Sequence, residues 1–388
     1  MRSGHSIGTN SCSALARISL LALLAGTVST TTAGATAAGA PAAGATAAGA
    51  PPATGYPAPR EGDFVIPDFH FTSGETLPQV RMHYYAFGEP KRDSHGIVRN
   101  AVLIVHGTGG NGGSLIRPEF AGELFGPGQL LDATRYFIVL PDALGHGKSS
   151  KPSDGLHAHF PRYGYNDMVE AEYRLMLGLG AKHARLIMGT SMGCMHAWLW
   201  GEQHPDFMDA LMPLACLPTQ ISGRNRVWRR TVSDAIRNDP AWQGGEYQTQ
   251  PPSLRTALEM TWLMGSNPPR RQQEAPTLAQ ADSVIDTWVG AVLPHFDAND
   301  YLYQIEASHD YDPGPGLEKI RVPVMAVNSA DDLINPPELG ILEREIKRVP
   351  QGKAVVIPYS DQTWGHGSHT IAVLWKQYLE ELLQQSAH

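Results

Sequence analysis

Residues 184–193 read Ala-Arg-Leu-Ile-Met-Gly-Thr-Ser-Met-Gly. An apolar run short enough for one buried strand passes directly into Gly-x-Ser-x-Gly, and a helical pattern follows from Met192 to about Glu202. A turn this tight between strand and helix requires small residues on both flanks. It forces the central serine into a strained backbone conformation that exposes its hydroxyl at the carboxyl end of the sheet. The amino terminus of the following helix favours negative charge developing there. Ser191 is therefore a candidate nucleophile. An ordinary glycine-rich turn is the competing reading of the pentapeptide, and the rest of the chain decides between them.

Further apolar strands are expected at Ala101–Val105, Tyr136–Leu140, Ala210–Leu214, Val322–Val327 and Ala354–Ile357, after a strand pair over Phe64–Phe71 and Val80–Phe87. Helical periodicity falls at Asp167–Leu179, Pro337–Arg348 and from about Thr370 to Gln384. Alternating apolar strands and helices predict an α/β fold with a mostly parallel, doubly wound sheet covered on both faces. Ligands of such sheets bind at the carboxyl ends of the strands. The stretch 218–308, rich in Trp, Arg, Gln and Pro with helical patches and no strand runs, reads as an inserted helical lid.

The chain has 388 residues, 42% of them hydrophobic, which is enough for one large core-forming domain over 61–388. The net charge of −8, with no basic block, argues against a nucleic-acid partner. At the amino terminus Arg2 and Arg17 precede the apolar run Ile18–Val28, and Ala33-Gly34-Ala35 offers a small-residue cleavage site. Residues 1–35 read as a signal peptide, which predicts an exported protein, periplasmic or secreted, with no membrane span in the mature chain. A duplicated decapeptide follows, Gly34–Ala43 and Gly44–Ala53, inside an Ala/Gly/Pro-rich stretch (36–60) that reads as a flexible linker. Of the three cysteines, Cys194 and Cys216 lie beyond the signal. They pair in an oxidising compartment or remain two buried thiols, the second being the favoured reading. No spacing of metal ligands occurs, so neither metal nor cofactor is expected.

A serine hydroxyl needs a base, and the base a carboxylate. In chain order these should follow the serine, each at the end of a later strand. After Val322–Val327 the chain reads Asn328-Ser-Ala-Asp-Asp-Leu-Ile-Asn-Pro336. Asp332 is the candidate acid, and Asp331 the candidate turn or capping residue. After Ala354–Ile357 comes Thr363-Trp-Gly-His-Gly-Ser-His369, in which His366 is the candidate base and His369 the alternative. An oxyanion needs two donors. The Met192 amide is one candidate. The Thr108 amide is the other, in the loop His106-Gly-Thr-Gly-Gly-Asn-Gly-Gly113. That loop lacks the Lys-Ser/Thr ending of a phosphate-binding loop. The turn Pro141–Ser149 reads as architectural, with His146 solvated.

These elements in this order resemble the α/β-hydrolase fold. From about residue 64 the chain more closely resembles the homoserine O-acetyltransferase family. The resemblance is carried by Phe125-Gly-Pro-Gly-Gln129 with Leu131–Phe137, Phe160-Pro161 with Asp167-Met-Val169, Ser191-Met-Gly193 with Met195, and Ala235-Ile236 with Asp239–Gly245 and Tyr247. It implies a Ser191–Asp332–His366 triad, a helical lid over a deep pocket and often a homodimer through the lid. Where that family carries an arginine tied to the substrate carboxylate, Ser233 stands here. Arg230, or Arg229, one turn away, is the candidate substitute. The expected function is hydrolysis of a small-molecule ester or related acyl substrate through an acyl-enzyme. Acyl transfer to an alcohol or amine is the alternative, and a non-catalytic binding protein is a third reading.

Overall fold

The computed structural model describes residues 55–387. The expected signal peptide and most of the expected linker lie outside them. Tyr56, within the expected linker, already packs its ring against Phe87 and Phe125, at 5.9 and 6.2 Å between centroids.

Eight strands form one sheet. They are β1 (Arg60–His70), β2 (Thr76–Phe87), β3 (Ala101–Val105), β4 (Phe137–Pro141), β5 (Ala184–Thr190), β6 (Leu211–Leu214), β7 (Val324–Ser329) and β8 (Gly352–Ile357). Their order is β1-β2-β4-β3-β5-β6-β7-β8. The first two strands pair antiparallel, as do β2 and β4, and every later pair is parallel. The crossover between β3 and β5, with β4 on the outer side, places the ends of β3 and β5 side by side. This brings the glycine loop next to the serine turn.

The central strands are apolar throughout because both faces are covered. Leu103 and Val105 point into one core layer, and Val102 and Ile104 into the other, all fully buried. The period of two within a continuous apolar run is what a sandwiched parallel strand requires. Among the described residues, ten α-helices accompany the sheet. Four precede or begin the lid: α1 (Ala121–Leu124), α2 (Tyr165–Gly178), α3 (Met192–Gln203) and α4 (Gly223–Arg237). Then come α5 (Ser253–Gly265), α6 (Pro268–Glu274), α7 (Leu278–Val292), α8 (Ala298–Glu306), α9 (Ile341–Glu345) and α10 (Lys376–Gln385). Helices α2 and α3 cover one face and α10 the other. Helices α4 to α8 lie between β6 and β7 and have their own apolar core of Trp228, Val232, Ile236, Leu254, Leu258 and Ile305.

Strand ends shift by a few residues from the pattern in the sequence, and two helices differ more. The helix expected over Pro337–Arg348 is broken at Gly340, whose φ of +59° ends a 3-10 turn before α9 begins. The last helix starts at Lys376 rather than near Thr370, because 367–374 are two 3-10 turns. The first of those turns begins directly after His366.

Candidate active site

The serine turn follows from three residues. Ser191 sits at φ +55° and ψ −105°, a region costly for a non-glycine residue. Its N–H donates to Leu214 O across to β6 (2.8 Å), which holds the turn in place. A Cβ on Gly193 would stand 2.1 Å from Val105 O, and one on Gly189 would stand 2.2 Å from Gly193 O. Helix α3 can cross β3 and β5 this closely only because both positions lack a side chain. The hydroxyl is thereby presented at the strand end, as the Gly-x-Ser-x-Gly pattern implied.

His366 and Asp332 meet it there. Ser191 Oγ donates to His366 Nε2 (2.8 Å), and His366 Nδ1 donates to Asp332 Oδ2 (2.9 Å). The donor roles follow from Asp332, a carboxylate that can only accept. Asp332 is fully buried. Burial alone would raise its pKa, but the facing His366 and the N–H groups of Asn335 and Ile334 outweigh it and hold the carboxyl below its usual value. Its Oδ1 accepts from Ile334 N (2.8 Å) and Asn335 N (3.1 Å). The carboxylate is thus anchored on one oxygen by backbone and aimed with the other at the imidazole.

Asp331 does not face the serine. Its carboxylate accepts from Gly365 N (2.9 Å), from Ser329 Oγ and from Asn267 of the lid. His366, not His369, is the histidine that meets Ser191. His369 lies edge-on to His366 at 5.0 Å between ring centroids, and burial pushes its pKa well below the usual histidine value.

The glycine loop is held against the serine from below. Gly193 N donates to His106 O (3.0 Å), and Gly107 lies alongside Ser191. Burial lowers His106 to about 4, so the ring is neutral. Ala143 N donates to its Nε2 (3.1 Å), which leaves the proton on Nδ1, facing Gly107 O at 2.8 Å. The turn after β4 does carry an architectural load. Asp142 accepts from Gly112 N (2.8 Å) and Lys148 N (2.7 Å), tying that turn to the glycine loop. His146, expected to be solvated, is instead fully buried against His106. Neither the Met192 nor the Thr108 backbone N–H donates to a backbone carbonyl among the described residues.

The substrate-side expectation needs correction. Arg230 is exposed and pairs with Asp234 on its own helix, Nε to Oδ1 at 2.6 Å. The buried stripe of α4 is Trp228, Arg229, Val232, Ser233 and Ile236, so the helical period turns Arg230 outward and Arg229 inward. Arg229 is 2% exposed, and its partners are neutral: Asn225 Oδ1 (3.0 Å), Ser308 Oγ (3.3 Å) and the Trp228 ring (4.8 Å). Beside it, burial raises the Tyr165 hydroxyl above its usual range, while Arg229 and Thr108 oppose the shift. The Tyr165 and Thr108 hydroxyls are neighbours, yet neither makes a hydrogen bond of ordinary geometry. Among the described residues, a guanidinium and two hydroxyls therefore stand next to the glycine loop with no carboxylate paired to them. Ser233 lies against the Glu306 carboxylate and the Arg229 carbonyl (3.1 Å) instead.

The favoured reading of the cysteines is also overturned. Cys194 and Cys216 form a disulfide that joins the first turn of α3 to the start of the lid. They stand 22 positions apart in sequence, but the parallel pairing of β5 and β6 brings the two strand ends together.

Comparison with known proteins agrees with this architecture. Residues 100–369 match the family described as alpha/beta hydrolase fold. A homoserine O-acetyltransferase from Thermobifida fusca is 30% identical over 306 residues, covering 68% of this chain and 78% of that protein. The crystal structure of homoserine O-acetyltransferase from Bacillus anthracis superposes with a TM-score of 0.72 at 22% identity, over 84% of this chain and 97% of that one. An acetylester hydrolase from Corynebacterium glutamicum gives 0.71 at 19% identity, over 84% and 96%. With a sheet, a serine turn and a helical insertion of this kind, the chain belongs to the α/β-hydrolase family, in its homoserine O-acetyltransferase-like branch.

Proposed function

We propose that this protein is a serine-nucleophile acyltransferase that passes a small acyl group through a covalent Ser191 ester to a hydroxyl acceptor bearing a carboxylate. The observation that carries the reading is the continuous chain from Ser191 Oγ through His366 to Asp332, at 2.8 and 2.9 Å. Ser191 Oγ attacks the acyl carbonyl carbon while its proton passes to His366 Nε2. The carbonyl electron pair moves onto oxygen, where the Met192 and Thr108 amides are the donors we assign. Collapse expels the leaving group, which takes the proton from His366. The acceptor hydroxyl then gives its proton to His366 and attacks the Ser191 ester, and Ser191 leaves with that proton.

Arg229 supports a carboxylate on the acceptor. A buried cation surrounded by neutral groups is stabilised most by an anion that arrives with the substrate. Homoserine, named for the relatives, is such an acceptor. We further infer from the apolar run Ile18–Val28 that the protein acts outside the cytoplasm, which favours an acyl ester over a cytoplasmic thioester as donor.

The second reading is ester hydrolysis with water as acceptor. It is favoured by the neutral Ser233 at the position where the family carries an arginine. A chromogenic acetyl ester separates the two. Transfer predicts that added homoserine accelerates turnover and yields O-acetylhomoserine, whereas hydrolysis predicts acetate alone at an unchanged rate. A fluorophosphonate probe tests the shared chemistry: wild-type protein should label and Ser191→Ala should not. Absent labelling of the wild type, or equal labelling of both, would refute it.

A further inference from the structure

Asp331 occupies a junction between three segments. The next residue in the chain, Asp332, holds the His366 imidazole. Asp331 itself accepts from the backbone N–H of Gly365, the residue just before His366 (2.9 Å). The same oxygen, Oδ2, accepts from Asn267 Nδ2 of the lid. Asn267 is 3% exposed and uses its amide in both directions, because its Oδ1 accepts from Arg270 N (2.9 Å) and so caps α6. Seating α6 and holding the His366 loop thus depend on one side chain.

The packing around this junction is close. Gly365 has φ +59°, and a Cβ there would lie 3.2 Å from Ser266 O, 3.3 Å from Asn267 N and 3.3 Å from Asp331 O. The lid backbone rests directly on the histidine loop. One helical turn further on, the Arg270 guanidinium lies over the Trp364 ring at 3.3 Å from its centroid, and its Nη1 reaches Asp361 O (3.4 Å). Residues 361–365 are therefore held by the lid on one side and by Asp331 on the other. None of these groups touches Ser191, yet each bears on the segment that aims His366.

We propose that Asp331 and Asn267 form a latch through which seating of α6 positions His366 on Ser191. Asp331 is a positioning residue in this scheme, acting through Gly365. With α6 lifted, Asp331 loses a donor, Trp364 loses its cation and the loop before His366 loses its outer wall. The base then drifts from the serine hydroxyl. This couples proton transfer to a covered site. The inference rests on the acyl-enzyme reading above, because it concerns the geometry of that base.

Asn267→Asp tests it with little else disturbed. An aspartate still caps α6, but it sets a carboxylate against Asp331 where a donor stood. A displacement of about 1 Å at a catalytic group costs up to roughly a hundredfold in rate, so fluorophosphonate labelling of Ser191 should slow by roughly tenfold to a hundredfold. Hydrogen exchange should quicken at residues 361–366, with kcat for a small acetyl ester falling and KM little changed. Asn267→Ser, which keeps a cap and shortens the donor, should behave likewise and guards against a folding defect peculiar to the first variant. Wild-type labelling with an unchanged rate in both variants would overturn the latch and leave the acyl-enzyme reading intact. Slower labelling without faster exchange at 361–366 would overturn it too, since the effect would not pass through the histidine loop. Absent labelling of the wild type would overturn the acyl-enzyme reading itself, and the role assigned to the latch with it.

Discussion

Asp332→Asn should abolish most of the activity without unfolding the protein. The carboxylate accepts four N–H groups. Oδ1 takes Ile334 N (2.8 Å) and Asn335 N (3.1 Å), while Oδ2 takes His366 Nδ1 (2.9 Å) and Asn335 Nδ2 (3.3 Å). An asparagine offers one acceptor oxygen and one donor group. If its NH2 faced the backbone, two buried N–H donors would lose their acceptor, at about 1–3 kcal/mol each. The oxygen therefore stays with Ile334 and Asn335, and the NH2 turns to His366. Asn335 Nδ2 retains Ala215 O at 3.0 Å, which eases that orientation. His366 Nδ1 must then accept, its proton moves to Nε2, and that nitrogen can no longer take the Ser191 proton. The imidazolium formed on attack also loses its counter-charge. Together these effects should lower kcat roughly 10³- to 10⁴-fold, or about 4–5.5 kcal/mol of transition-state stabilisation. The assay is turnover of a p-nitrophenyl acetyl ester beside fluorophosphonate labelling, with circular dichroism as the check on folding. A folded Asp332→Asn protein that retained more than about a tenth of the wild-type rate would refute the tautomer argument and the assignment of His366 as base.

Three further outcomes are expected. Reducing the Cys194–Cys216 bond, or replacing both cysteines by alanine, should destabilise the fold by about 3 kcal/mol for a separation of 22 residues, read as a lower urea midpoint; an unchanged midpoint would mean the bond constrains nothing. Arg229→Met should raise KM for a carboxylate-bearing acceptor by roughly 10- to 100-fold, while hydrolysis of an uncharged ester stays within about twofold of wild type. Equal effects on both would show that Arg229 is structural. Asp300, 8% exposed and pushed up to about 6 by burial, binds its proton more tightly folded than unfolded. Stability should therefore fall as pH rises from the unfolded value of 3.8 to about 6, by at most about 3 kcal/mol, burial outweighing the Ser153 and Lys151 contacts that oppose it. Urea unfolding of Asp300→Asn across that window should lose this slope, and parallel wild-type and variant curves would contradict it.

The parts of the site legible in the sequence are those fixed by local backbone rules. A strand-to-helix turn with glycine on both flanks needs no distant residue to be recognised. Asp332 and His366 could be found because a parallel sheet delivers all of its strand ends to one edge, so order along the chain predicts meeting in space. The misreadings share a different cause. Arg229 and Arg230 are adjacent, and composition cannot say which one faces inward. The period of α4, anchored by Trp228, Val232 and Ile236, makes that choice. Counting the apolar positions at i, i+4 and i+8 on that helix would have found it. His146 reads as a polar residue in a glycine-rich turn, and only the packing of that turn against His106 buries it.

The sequence by itself determined the succession of strands and helices along the chain and the serine, aspartate and histidine that meet at the strand ends, because these depend on period, turn chemistry and strand ends. The tertiary structure alone decided which of two neighbouring side chains faces inward and which distant groups pair. It paired Cys194 with Cys216, turned Arg229 rather than Arg230 towards the glycine loop, and joined Asp331 to Asn267 across 64 residues. Contacts of that kind arise where separate segments pack, and no local pattern in either segment encodes its partner.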